Sequence, residues 1–161
     1  MPHVKVKIPI RYRLWVFTFV TLSWCTGIAF YILSRWITIE GDFGPESHPI
    51  QYPLLKAHGA SAFIMIITFG YLLASHIPAG WKSAKHRISG LSIVIAQVIL
   101  IFTAYLLYYM SDEDLRGIVC IVHLGTGIAF PFLIAAHVVS GIRCKRQAQA
   151  LRERKRHQSA F

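Results

Sequence analysis

The run Gly117–Ile142 does most to restrict what this chain can become: twenty-six residues pass without one Asp, Glu, Lys or Arg. About 20 consecutive apolar residues cross the hydrocarbon of a bilayer as a helix, so this run is long enough to span one. Inside it lie His123 and His137. Ionisable residues within such a span are rare and functional by default. Fourteen positions at ~100° each come to about 1400°, which leaves the two imidazoles ~40° apart on one face and ~21 Å apart along the axis. One imidazole falls in each half of the membrane.

The remaining chain repeats the theme. Of 161 residues, 55 % are hydrophobic and the mean hydropathy is +0.50. The apolar residues come in blocks of twenty or more rather than alternating with polar ones, which points to spans and leaves no room for a separate soluble domain. Leu14–Ser34 is uncharged, too long for a signal-peptide core and followed by no small-residue cleavage site, and is read as a retained first helix. The connector Glu40–Pro53 is acidic and rich in Gly and Pro, the mark of a turn-rich loop. A second apolar block carries His58 and His76 and is closed by Pro78-Ala79-Gly80. A third, Ile88–Met110, ends in Tyr105, Tyr108 and Tyr109, a suitable headgroup belt. Ser111-Asp112-Glu113-Asp114 is an acidic turn before the fourth. The expected fold is therefore all-α: a four-transmembrane-helix bundle forming one integral membrane domain over 1–161. Its helices run at about 14–39, 54–77, 88–110 and 116–142, with a basic tail at 143–161.

A formal charge of +10 could suggest nucleic acid, but the distribution of the charges says otherwise. Lys5, Lys7, Arg11, Arg13, then Lys82, Lys85, Arg87, then Arg143, Lys145, Arg146, Arg152, Arg154, Lys155 and Arg156 make fourteen of the seventeen basic residues. All fourteen fall in the N-terminal segment, the 82–87 connector and the tail. Six of the seven acids fall in the other two connectors. The positive-inside rule then puts both termini in the cytoplasm. Cys25, Cys120 and Cys144 form no C-x-x-C or C-x-x-C-H, so covalent haem attachment, an iron–sulfur cluster and a zinc knuckle find no support.

On the second helix, His58 and His76 are eighteen positions apart, five full turns, so they share an azimuth ~27 Å apart in depth. With the second and fourth helices running the same way, His58 and His123 lie toward the outer leaflet and His76 and His137 toward the inner. Single membrane histidines commonly hydrogen-bond a neighbouring helix. Four at matched depths, without a carboxylate in the same spans, point instead to two bis-histidine haem b groups, since haem iron accepts a neutral imidazole on each face. Ala57, Gly59 and Ala60 flank His58, Gly125 and Gly127 follow His123, and Ala135 and Ala136 precede His137; small residues there let a macrocycle approach the backbone. The two ligand spacings differ by ~6 Å of rise. A kink at Pro131 could absorb this, or His86 could replace His76 as the second inner ligand. Cations suited to haem propionates are Arg35, Lys56 and Arg116 on one side and Lys82, Lys85 and Arg87 on the other. His3, His48 and His157 read as solvated.

This pattern resembles the cytochrome b561-like membrane superfamily, the four-helix dihaem b subunits of bacterial b561 cytochromes and of the membrane anchors of nickel–iron hydrogenases and formate dehydrogenases. The matching residues are Ala57-His58-Gly59, the His123/His137 pair and Arg87-Ile88-Ser89-Gly90-Leu91 at the start of the third helix. The resemblance covers about residues 11–145. It implies His58 and His123 on an outer haem and His137 on an inner one, in a multi-pass protein of the bacterial inner membrane. Family members take the remaining inner ligand from a histidine beside a Trp early in the first helix; here Leu14 precedes Trp15. The expected role is an electron-transfer subunit passing electrons between a quinone and a redox partner protein, with catalysis belonging to that partner. The rival readings are a zinc or copper transporter using the same histidines and a structural membrane anchor.

Overall fold

The computed structural model describes residues 9–81 and 87–158. Within them the chain forms α1 (Ile10–Trp36), a hairpin of β1 (Thr38–Gly41) and β2 (Gly44–Ser47), α2 (Gln51–Trp81), α3 (Arg87–Tyr109) and α4 (Glu113–Gln158). All four helices are long and apolar enough to cross a membrane, as expected from the uncharged blocks. This is an all-α, multi-pass membrane protein with one small hairpin. His3, Lys82, Lys85 and His86 lie outside the described residues.

The burial pattern matches a lipid solvent. Large apolar side chains face outward on every span, Ile67 at 75 % and Phe102 at 61 % exposure among them. The most withdrawn residues include small and polar ones: Ser61, Gln97, Ala96, Thr26 and Thr103. Apolar surface has no reason to hide from lipid, so helix contacts select small and hydrogen-bonding residues instead. The hydroxyls also close on their own helices. Thr26, Thr68, Ser75, Ser92 and Thr103 each donate to the carbonyl four residues back, at 2.7–2.9 Å.

By contacts the chain divides into two compact units, 1–79 and 80–161. In the first, α1 and α2 are bridged by side chains. The Tyr12 hydroxyl donates to the Thr68 carbonyl at 2.8 Å, and the Tyr12 and Tyr71 rings lie 4.8 Å apart. In the second, α3 and α4 pack along each other. The Arg87 Nε donates to the Trp81 carbonyl at 2.9 Å, and its guanidinium lies 5.9 Å from the centre of the Trp81 ring.

Four expectations are corrected. The first helix does not run to 39 but ends at Trp36, and the connector after it is not wholly a loop. Thr38 and Ile39 begin a strand, and β1 pairs antiparallel with β2 in the register Thr38↔Ser47 to Gly41↔Gly44, leaving Asp42 and Phe43 as the tip. Gly44 closes the turn with a φ of 120°, a conformation that only glycine adopts without strain. Pro78 does not end α2, which runs on to Trp81. A proline that close to a helix end forfeits one backbone bond rather than a whole turn of them. Nor does the fourth helix stop at 142 before the basic tail: α4 continues through Pro131 and on to Gln158. The residues beyond 142 are mostly Gln, Ala, Leu, Arg and Lys, strong helix formers that need no nucleation when an existing helix leads into them. Its first turn is capped by Asp112, whose Oδ1 accepts the Leu115 N–H at 2.9 Å, so the acidic turn is an N-cap.

Candidate functional site

The four span histidines are all half-buried: His58 and His76 on α2, His123 and His137 on α4. For three of them, a neighbouring helix of the same unit holds the Nδ1 nitrogen.

His58 is fixed by α1. Its Nδ1 lies 2.9 Å from the Ser23 carbonyl oxygen. A carbonyl only accepts, so Nδ1 carries the proton and Nε2 carries the lone pair. The ring sits against Gly27, one helical turn beyond Ser23. A Cβ added there would lie 2.9 Å from Cε1 and 3.0 Å from Nδ1. The imidazole thus occupies the volume that any other residue at position 27 would fill. Ser61, one turn along α2 and 1 % exposed, donates to the His58 carbonyl at 2.8 Å.

His123 is fixed by α3. Its Nδ1 is 2.7 Å from Thr103 Oγ1, which is itself 2.7 Å from the Ile99 carbonyl. The single hydroxyl proton of Thr103 goes to that carbonyl, so the hydroxyl accepts from His123 Nδ1–H. Again Nε2 carries the lone pair. His137 is held from the start of the same helix. Its Nδ1 is 2.9 Å from Ser89 Oγ, and its Cε1 would lie 3.7 Å from a Cβ on Gly90. A hydroxyl can take either role, so this contact fixes the ring without choosing its tautomer.

These four anchoring positions, Ser23, Gly27, Thr103 and Ser89, do not stand out as anchors in the sequence. Ser89-Gly90 carries a weak signal, because it lies in the stretch that bears the family resemblance. Among the glycines beside the histidines, Gly125 has no neighbour within 4 Å of an added Cβ and Gly127 meets only Leu100, at 3.7 Å. Two of the cations suited to propionates have local partners: Lys56 Nζ lies 4.3 Å from the Tyr52 ring centre, and Arg87 is held by Trp81. His48, read as solvated, makes one exposed local contact. Its Nδ1 accepts the Ile50 N–H at 3.2 Å, just ahead of α2.

One further feature lies beside the His58 anchor. Trp24 Nε1 is buried and has no hydrogen-bond partner among the described residues. An indole N–H is a donor only, so it calls for an acceptor oxygen. Among the described residues, no group of three or more His, Cys, Asp or Glu gathers as a zinc or copper site would need. None of the protein-family models, curated proteins or solved structures compared with the chain matches it.

Proposed function

We propose that this protein is a dihaem b-type cytochrome of the cytochrome b561-like kind. It would be an integral electron-transfer subunit carrying electrons between the quinone pool and a redox partner protein in the bacterial inner membrane, with both termini cytoplasmic. The observation that carries the reading is the anchoring of His58 and His123, each with its Nδ1 proton given to an acceptor on the adjacent helix. Metal-ligating histidines almost always make that bond, which fixes the tautomer and presents Nε2 to the metal. Gly27 supports it further, since the His58 ring lies where a side chain would otherwise be. The unpartnered Trp24 N–H suits a bound group that carries oxygen acceptors.

On this reading His58 and His123 hold the outer haem, and His137 with His76, or with His86 in its place, holds the inner one. The pairing rests on depth and helical spacing. Bis-histidine haem b supplies a one-electron change at iron with no open coordination position. The chain's own residues then bind and orient: Ser23 and Thr103 hold two imidazoles by Nδ1, and Ser89 steadies the third.

The purified protein is expected to show a reduced-minus-oxidised b-type spectrum and two haems per chain by pyridine haemochrome. No haem, or stoichiometric zinc or copper without a Soret band, would overturn the reading. A second expectation concerns Thr103. Thr103→Val keeps the shape but removes the acceptor for His123 Nδ1–H, and haem retention should fall ~10–100-fold. Haem transfer to apomyoglobin measures the loss, and Thr103→Ser should restore most of it.

A further inference from the structure

The contacts between α3 and α4 fix their relative heights. Ser89 and Gly90 meet His137, Leu100 meets Gly127, and Thr103 meets His123. Each step along one helix is matched by an equal step back along the other, as in an antiparallel pair of constant register. Gln97 therefore falls at the height of Ala129 and Phe130. At ~1.5 Å per residue it lies ~12 Å along the axis from Ser89 and ~9 Å from Thr103, between the levels of the two α4 histidines. It is 5 % exposed, and its amide makes no hydrogen bond to another described residue. An amide left unpaired inside a membrane is costly. Trp24 Nε1 is the one side-chain nitrogen or oxygen among the described residues that is both sealed and unpartnered. The unpaired Gln97 amide is therefore not sealed, and a water-sized molecule reaches it.

The same height holds a second group without its usual partner. Pro131 has no N–H, so the Gly127 carbonyl loses the donor that an unbroken helix would give it. That carbonyl points along α4 toward residue 131, which brings its oxygen toward the level of Gln97. The azimuths agree as well. With Ser89 as zero on α3, Gln97 lies at about +80°; with His123 as zero on α4, Gly127 lies at about +40°. In an antiparallel pair, positive rotations on the two helices open toward one flank of the seam. Amide and carbonyl share that flank.

The two groups call for a ligand that both accepts and donates, since an amide N–H needs an acceptor and a carbonyl a donor. A quinone carbonyl only accepts, and a lipid methylene does neither. Residues 96–98 and 127–131 include no ionisable side chain that would hold an ion. Water is the smallest molecule with both roles, and polar partners are what keep it in a buried site. We infer that Gln97 and the Gly127 carbonyl bind one water molecule between α3 and α4, accepted from Nε2–H and donated to the carbonyl. This water stands in for the hydrogen bond that Pro131 removes. Gln97 is thereby a positioning residue for the stretch of α4 that separates His123 from His137. The inference needs only the α3–α4 seam and does not depend on haem.

Water-edited solid-state NMR of the full-length protein in phosphatidylcholine liposomes reads the site directly. At short mixing times, magnetisation from water should reach the Gln97 side-chain nitrogen ahead of the backbone amides of Ala96 and Val98. No such lead would overturn the inference. A Gln97 Nε2 to Gly127 carbonyl-carbon distance short enough for a direct hydrogen bond, or transfer from lipid or quinone protons in place of water, would do the same. A double-mutant cycle tests the role. Pro131→Ala returns a helical donor to Gly127, so Gln97→Met should speed unfolding about tenfold in the parent and less than twofold beside Pro131→Ala. Equal effects in both backgrounds would also overturn it. Gln97→Asn repeats the cycle with a smaller change, and the NMR measurement needs no substitution, so a variant that fails to fold does not remove the test.

Discussion

His58→Ala is expected to lower the haem content from two per chain to about one, with the chain still folded in the membrane. The variant deletes the imidazole whose Nδ1 is tied to the Ser23 carbonyl, and a methyl group offers iron nothing in its place. The remaining spectrum should keep the band positions of the inner centre while the outer contribution disappears, and redox titration should show one midpoint where the parent shows two. An unchanged haem count would remove His58 from the ligand set. Loss of both haems with normal membrane levels would mean that the two centres do not load independently.

Gly27→Val is expected to act almost as severely without touching a ligand. Its first added carbon would sit 2.9 Å from His58 Cε1, closer than carbon atoms approach without displacement. The ring is not free to yield, because moving it lengthens the 2.9 Å bond to Ser23. Overpacking of this kind typically costs about 1–3 kcal/mol. Here the strain falls on the aim of Nε2, so haem occupancy should drop further than thermal stability does. Haem content and melting temperature measured on one preparation give the comparison, with Gly27→Ala expected to fall between parent and Val. A Val variant that keeps full haem content would show that the His58 ring can lie elsewhere in the loaded protein.

The helices were legible because lipid imposes a blunt rule: twenty uncharged residues in a row have few alternatives. Ends were less so. Pro78 reads as a stop and Arg143 as an exit from the membrane, yet neither fact bears on whether a backbone already helical continues. The hairpin was hidden by its own composition, since Gly41, Gly44 and Pro45 mark turns more loudly than Thr38 and Ile39 mark a strand. At the site, histidines stood out because they are scarce in spans. Ser23, Gly27 and Thr103 did not, because membrane helices are full of small and hydroxyl residues. What distinguishes these three is which azimuth and height meet an imidazole on the next helix, and that is a property of two helices rather than one.

The small hairpin between α1 and α2 therefore has a second consequence, for tolerance of length change. Its ladder brings the chain back beside itself, with Thr38 opposite Ser47, four residues before α2 begins. One extra residue in either strand would shift that register and turn the strand side chains beyond it to the opposite face. Residues added between Asp42 and Phe43 would bulge outward past the last paired glycines and leave the register alone. Phe43 is fully exposed there. An affinity tag or spectroscopic label belongs at this tip, where the molecule can lengthen without losing its internal alignment.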